Sequence, residues 1–254
     1  MKSSIDGQVM QTVSIDLDKD ETVYSQTSTM CWMNEDVTMG TKASGGILAG
    51  IGRALSGSTF FVTDFTSTGK GHVAFAPRFP GTIIEKKLTP ENSIICRKET
   101  FLCAEKSVSL SLYWQKKIGS GFFGGNGFML QKVQGPGTVW LDLSGELVTK
   151  TLKEGEKIRV HAGHVGAFEP SVNFDIQMVS GFSNILFGGE GLFLATLTGP
   201  GTVWLQSMPI MNLAEEIVRY MPNSQSNQNL SSTVGAGLLG AAIGGIFGGE
   251  KGNS

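Results

Sequence analysis

The sequence has few of the features that mark secreted, membrane-spanning or nucleic-acid-binding proteins. Its three cysteines, Cys31, Cys96 and Cys103, are odd in number and form no CxxC pair, which favours free thiols in a reducing compartment. All three lie in apolar or strand-like segments, which predicts that they are small buried hydrophobic residues. The N-terminus lacks an apolar signal-peptide core, and no run of 18 apolar residues is present to form a membrane-spanning helix. A net charge of −2 and an isoelectric point near 5.9 argue against a nucleic-acid backbone as partner. These absences predict a cytoplasmic protein.

Charged residues are also scarce, at 17% of the chain, whereas glycine is abundant, with 35 residues. Glycine costs a helix interior about 1 kcal/mol relative to alanine. Here the glycines are spread among β-branched and aromatic residues, a pattern typical of short strands joined by tight turns. Since hydrophobic residues make up 40% of the chain, a large core can form. The composition therefore predicts an all-β domain.

An internal repeat organises the chain. The segment 135–141, GPGTVWL, recurs identically at 199–205, and a weaker copy, GKGHVAF, lies at 69–75. Such self-similarity predicts three copies of one structural unit, at about 10–81, 82–145 and 146–210. Because proline presets φ and glycine accepts positive φ, the shared residues are predicted to form structural turns: Gly69, Gly71, Gly135, Pro136, Gly137, Gly199, Pro200 and Gly201.

The same frame aligns apolar residues elsewhere in each unit. The spacing of Leu88 and Ile94 recurs in Leu152 and Ile158, and again near the N-terminus in Leu17 and Val23. We therefore expect equivalent strands in each unit, packed as sheets in a pseudo-threefold arrangement. In particular, the valines that follow the turns are predicted to lie on equivalent strands: Val73, Val139 and Val203.

The C-terminal region differs from the repeats. A short helix is predicted at 212–221, ending at Pro222 and completing a β domain at 1–222. A polar linker, 223–233, leads to the glycine-rich apolar tail, 234–254. As a helix, the sixteen uncharged residues 234–249 would span about 24 Å, short of the ~30 Å core of a bilayer. Two readings stay open: a disordered tail, or one that associates with a membrane or with itself.

Several residues carry a resemblance to a known family. Arg53, Gly57 and Phe60 form an Arg-x-x-x-Gly-x-x-Phe pattern, which is accompanied by Gly-Glu-Gly at 189–191 and by the segment 212–217. Over about residues 10 to 222, the chain resembles the Altered Inheritance of Mitochondria family, also called TRAP-like because its fold is similar to the tryptophan RNA-binding attenuation protein. The resemblance implies a double-stranded β-helix-like sandwich and scaffolding near membranes. It implies no established enzymatic activity and offers no catalytic residues to carry over.

Several segments resemble motifs for catalysis or for cofactor or metal binding, but the surrounding sequence does not match what each site needs. The glycines of 119–124 match a dinucleotide fingerprint but lead into a strand start instead of a helix. The acidic residues of 16–20 lack the glycine and the glutamate that a calcium loop needs. His161 and His164, three apart in a strand or loop, are predicted to point to opposite faces. We therefore assign no catalytic, cofactor-binding or metal-ligating residue.

The sequence favours a non-enzymatic binding or scaffold protein. Its expected partner is an unidentified protein or a membrane surface, which the tail would contact peripherally, and a homo-oligomer is an open alternative. A second hypothesis is an enzyme that uses a cleft between repeats, which convergent titratable residues would favour. A third is RNA binding by fold analogy, which a basic stripe with exposed aromatic residues would favour.

Overall fold

The computed structural model describes residues 1–40, 62–116, 128–178 and 193–209, together with Asn212, Leu213, Ile217 and Tyr220. In these residues the chain forms nineteen β-strands, whose pairings are all antiparallel, and two short 3-10 helices. The predicted all-β fold is confirmed.

The strands fall into three sets of six, preceded by β1, Lys2–Asp6. Unit 1 comprises β2 Thr12–Leu17, β3 Thr22–Gln26, β4 Met30–Met33, β5 Val37–Gly40, β6 Val62–Ser67 and β7 Gly71–Phe75. Unit 2 comprises β8 Gly81–Leu88, β9 Ser93–Arg97, β10 Phe101–Glu105, β11 Ser109–Lys116, β12 Phe128–Gln134 and β13 Gly137–Ser144. Unit 3 comprises β14 Leu147–Leu152, β15 Lys157–His161, β16 Val165–Phe168, β17 Asn173–Met178, β18 Phe193–Thr198 and β19 Gly201–Gln206.

Strand register shows that the three units are equivalent. The sixth strand begins at Gly71, Gly137 or Gly201, and the valine two residues later lies opposite the last apolar residue of the third strand. The third strand carries a bulge at the same step in every unit. The predicted repeat is therefore confirmed, with these valine pairs in matching positions: Val73 with Met33, Val139 with Ala104, and Val203 with Phe168.

Neighbouring units share their sheets. One six-stranded sheet has the order β5-β6-β3-β10-β13-β8, and the next has the order β11-β12-β9-β16-β19-β14. In each, the second strand of one unit pairs with the third strand of the next, as β3 with β10 and β9 with β16. A four-stranded sheet, β1-β2-β7-β4, and a three-stranded sheet, β15-β18-β17, lie at the two ends.

One hydrophobic cluster is centred on each unit, and each cluster also contains side chains from a neighbouring unit. In unit 1, Val13, Ile15 and Phe65 pack with Leu102 and Trp140, which come from unit 2 across the shared sheet. Units 2 and 3 are built in the same way. Since both faces of the shared strands are buried, burial of apolar area stabilises the contacts between units as well as the units themselves.

The predicted helix 212–221 falls mostly outside the described residues. Four of its residues are described, all with helical backbone, and of these Ile217 and Tyr220 are exposed. The linker 223–233 and the tail 234–254 lie entirely outside the described residues.

Candidate functional site

A pair of histidines lies where β15 ends. The 3-10 helix Ala162–His164 begins directly after His161. Because this helical turn changes the direction of the chain directly after His161, the rings of His161 and His164 lie close together, with centroids 5.8 Å apart. The prediction that these side chains point to opposite faces was therefore wrong, since it assumed an extended backbone.

Polar side chains converge on one carbonyl beside the histidines. The Gly163 carbonyl accepts hydrogen bonds from Arg97 Nη1, at 3.1 Å, and from Gln206 Nε2, at 2.9 Å. His164 Nδ1 lies 2.8 Å from the Gln206 carbonyl oxygen, an acceptor, so this ring nitrogen carries the hydrogen. The cluster links three strands or turns from units 2 and 3, so these contacts stabilise the boundary between the two units.

The electrostatics of the cluster disfavour a charged imidazole. Burial lowers the pKa of His161, and the nearby His164 and Arg97 lower it further. His161 is therefore neutral near pH 7, the state in which an imidazole can bind a metal or accept a proton. Within the described residues, however, no group of three or more His, Cys, Asp or Glu side chains converges to hold a metal ion.

Asp142 is an ionisable residue that sequence reasoning missed. It lies on β13 opposite Ile83 and between the buried Leu141 and Leu143. Burial raises its pKa to about 7, although the charge of Arg78 lowers it in part. Its Oδ1 atom is buried without a hydrogen-bond partner in the described structure. The sequence does contain a signal that could have identified it, because Asp142 is the one charged residue within the apolar segment 139–143.

The cysteines divide into two environments. Cys96 and Cys103 are fully buried, as predicted; burial raises the pKa of Cys96 to about 12 and raises the pKa of Cys103 well above its usual value. Neither is therefore a thiolate nucleophile at neutral pH. Cys31 was predicted to be a buried hydrophobe and is instead exposed, because it lies on β4 at a sheet edge.

The turn glycines are held in place by close packing. A Cβ atom on Gly71 would lie 2.6 Å from Ser67 Oγ, and one on Gly135 would lie 2.3 Å from the Thr89 carbonyl oxygen. Gly199 repeats the geometry of Gly135 in the next unit, and cis peptide bonds join both to the following prolines, Pro136 and Pro200. Gly69 approaches Asp36, and Gly137 and Gly201 have positive φ. The family-motif residues Arg53, Gly57 and Phe60 lie outside the described residues.

Exposed apolar side chains lie on the fourth strand of two units. Met39 on β5 and Leu112 and Tyr113 on β11 are 51%, 38% and 46% exposed. Both strands are the fourth of their unit, and each leads into the connection to the fifth. The fourth strand therefore carries exposed apolar groups in two successive units.

Comparisons with known proteins assign this architecture to a family. Residues 3–208 match the family model described as mitochondrial biogenesis AIM24. The chain belongs to the AIM24 family. An uncharacterized protein of Streptococcus pyogenes serotype M6 is 32% identical to this AIM24 chain over 222 residues, which cover 84% of the chain and 88% of that protein. A crystal structure of a Streptococcus pyogenes protein is similar in fold, with a TM-score of 0.72 and 30% identity, covering 87% of this chain and 99% of the other.

The resemblance predicted from the motifs is thereby confirmed at the level of the family. Among the described residues of this AIM24 protein, no helix has both the length and the apolar character to cross a membrane.

Proposed function

We propose that this AIM24 protein is a non-enzymatic binding protein that attaches to a membrane surface through the corner where the fourth and fifth strands of each unit are connected. The observation that carries the proposal is the exposure of Met39, Leu112 and Tyr113 on strands that lead into two of these connections. Large apolar side chains clustered at an exposed site are typical of interaction surfaces.

The repeat places the strands that flank three such connections in equivalent positions. The hairpins β5-β6, β11-β12 and β17-β18 lie at the same edge of three successive sheets. We call the residues that join them, 41–61, 117–127 and 179–192, the hairpin connections. All three combine glycines with bulky apolar residues and contain few charges, as in Phe-Phe at 122–123 and Ile-Leu-Phe at 185–187. The equivalent flanking strands and the shared composition therefore support the proposal that all three connections contact the same partner.

Physical chemistry favours a lipid partner for such a surface. Moving a Leu or Phe side chain fully out of water is worth about 1.5–3 kcal/mol, so a few residues per connection suffice for weak binding. Three weak contacts on one frame strengthen one another, because the second and third form at a high effective concentration. With a net charge of −2, the protein has no basic excess to require anionic lipids.

Flotation with phosphatidylcholine vesicles tests the proposal. We expect the full chain to float with the vesicles, and the variants Leu112→Ser/Tyr113→Ser and Phe122→Ser/Phe123→Ser to lose at least half of the floated fraction. Val148→Ser is the matched control, because Val148 is an exposed apolar residue on β14, outside this corner. Full-length protein that stays unbound with both neutral and anionic vesicles would contradict the proposal.

Removal of the tail separates its contribution from that of the hairpin connections. A chain that ends at Pro222 should keep its thermal midpoint within a few degrees, because β19 is the last strand among the described residues and a change of about 1 kcal/mol shifts Tm by only 2–4 °C in a domain of this size. We expect this truncation to float less than the full chain and more than a truncation that also carries Phe122→Ser/Phe123→Ser. A truncated chain that fails to fold would show that the tail belongs to the core.

A further inference from the structure

Two strand edges, of the kinds that pair with each other between neighbouring units, have no partner among the described strands. The second strand of unit 1 pairs with the third strand of unit 2, and the same pairing joins units 2 and 3. The remaining third strand, β4, pairs only with β7 among the described strands, and the remaining second strand, β15, pairs only with β18. The chain therefore ends in two edges of complementary type.

Side chains on β4 are more exposed than those on the equivalent strands of units 2 and 3. Trp32 and Met33 on β4 are 49% and 36% exposed, whereas the equivalent residues on β10 and β16 are fully buried. These buried equivalents are Cys103 and Ala104 on β10, and Ala167 and Phe168 on β16. The difference arises because the second strand of a preceding unit covers β10 and β16, and no described strand covers β4.

The composition of β4 is unusual for a free edge. Natural proteins protect edge strands with lysine, other charges or proline, because exposed N–H and C=O groups recruit further strands. The four residues of β4 are Met-Cys-Trp-Met, and none is charged or proline. A strand of this kind has the composition of one that is covered when the protein is assembled.

The internal pairings define the register that a partner strand would take. Ala104 lies opposite Tyr24 where β10 pairs with β3, and Phe168 lies opposite Ile95 where β16 pairs with β9. Carried over to the free edges, this register places Met33 opposite Arg159 and Glu35 opposite Lys157. The apolar residues of β4 thus face the aliphatic stem of an arginine, and the flanking acid faces a base. Oppositely charged residues directly across strands stabilise a pair by about 0.2–1 kcal/mol.

A side-chain contact repeats at both internal pairings. Gln26, the last residue of β3, donates from Nε2 to the Lys98 carbonyl in the next unit, at 2.6 Å. Arg97, the last residue of β9, donates from Nη1 to the Gly163 carbonyl in the next unit. His161 is the last residue of β15, and its ring can also donate an N–H group. The strand β15 therefore ends in a residue, His161, that could donate the same kind of hydrogen bond to a backbone carbonyl in the turn before β4 of a second copy.

From these observations we infer that β4 of one copy pairs antiparallel with β15 of a second copy, so that a seven-stranded sheet forms between chains, with the six strand positions of the internal sheets and β1 in addition. The partner is another molecule of this protein, and the contact is head-to-tail. Because a head-to-tail contact uses two different surfaces, it produces a closed ring or an open filament, depending on the rotation between copies.

Cysteine pairs placed across the inferred sheet test this directly in the full-length protein. All variants carry Cys31→Ser, which removes the exposed native thiol and leaves only the two buried ones. Two double variants place cysteines directly opposite each other: Met33→Cys/Arg159→Cys and Trp32→Cys/Val160→Cys. Adjacent cross-strand pairs alternate between close and wide spacing, so one of these two pairs has the closer spacing. We expect oxidation to crosslink chains in at least one of the two variants. The slipped pair Met33→Cys/Val160→Cys is the control, since a shift of one residue places the two side chains on opposite faces.

The single variants distinguish a head-to-tail contact from a symmetric one. Met33→Cys alone and Arg159→Cys alone should give no crosslink, and mixing the two should give a dimer only. In light scattering, Trp32→Asp should reduce the assembled fraction at least tenfold, whereas Val148→Asp, at an exposed apolar site on β14, should not. Four results would each overturn the inference. Two concern the double variants: no crosslink in either register pair, or equal crosslinking of the slipped pair. The other two are a dimer from either single variant and a wild type that is monomeric at all concentrations.

Discussion

Replacing Asp142 with asparagine is expected to raise the thermal midpoint by about 5–10 °C at pH 8. The carboxyl group is largely buried on β13, one of its oxygens has no hydrogen-bond partner in the described structure, and burial raises its pKa to about 7. At pH 8 the folded protein therefore holds a charge that its surroundings disfavour. Removing that charge is worth about 2–4 kcal/mol by the relation between pKa and stability, and each kcal/mol corresponds to 2–4 °C at this size.

The direction of the pH dependence follows from the raised pKa. Below pH 3.8, the pKa of this carboxyl group in the unfolded chain, the group is protonated in both the folded and the unfolded state and does not lower the stability. As pH rises from 3.8 to about 7, the unfolded chain ionises first, so the wild type loses stability across this window and the loss is constant above it. The advantage of the variant should therefore be absent near pH 3.5 and complete above pH 7.

Thermal unfolding monitored by circular dichroism at several pH values checks this prediction. Asp18→Asn is the control, because Asp18 is exposed and forms an ion pair with Lys70, which is also exposed. We expect this control to shift the midpoint by less than 2 °C at any pH, since exposed ion pairs contribute little. An Asp142→Asn protein whose advantage does not change between pH 4 and 7 would refute the buried, late-ionising carboxyl.

Replacing Gly137 with alanine is expected to destabilise the fold by about 2–4 kcal/mol and to lower the midpoint by about 5–10 °C. Gly137 has φ +131°, where side chains are strained, and its added Cβ would lie 2.6 Å from Ser107 Oγ and 2.9 Å from Val108 Cγ2. Gly201 has the same surroundings in unit 3, so Gly201→Ala should have a similar effect. The repeat thus provides an internal replicate of the experiment.

Two other glycines separate backbone strain from steric crowding. Gly155 has φ +73° but open space around its Cα, so Gly155→Ala should cost only about 1–2 kcal/mol. Gly40 has neither positive φ nor close neighbours, so Gly40→Ala should be nearly neutral. Chemical denaturation of the three alanine variants should rank them in this order, and a Gly137→Ala protein as stable as Gly40→Ala would refute the packing seen around the turn.

The repeat architecture was predictable because its signal is local. The identical segments 135–141 and 199–205 contain both a turn and a strand, and each turn glycine is required by atoms of the neighbouring strands. The apolar spacing then placed the remaining strands, since a residue's position in one unit fixes its equivalents in the others. The weaker first copy at 69–75 was still sufficient to place β7.

The histidine pair and the buried acid were not predictable in the same way. Their properties depend on features that sequence spacing does not encode. A 3-10 turn of three residues decides whether His161 and His164 meet, and no strong local signal marks it. The raised pKa of Asp142 arises from burial between β13 and its neighbours, which only the assembled sheets create.

The exposure of β4 also could not be derived from its sequence. The strand Met-Cys-Trp-Met has the apolar composition of a buried strand, and its equivalents in units 2 and 3 are buried. What differs is the presence of a preceding unit, which is a property of position in the array. The same reasoning explains why Cys31 is exposed although Cys103, on the equivalent strand of unit 2, is not.

Amide hydrogen exchange as a function of protein concentration tests most directly the central claim, that three equivalent units share sheets within the chain and leave complementary edges at its ends. The internal strands β3, β9, β10 and β16 should exchange slowly at every concentration, because they are paired on both sides. Exchange in β4 and β15 should be fast in dilute protein and should slow in both strands together as concentration rises. Protection of β4 and β15 that never changes, or that changes in one strand without the other, would contradict the account.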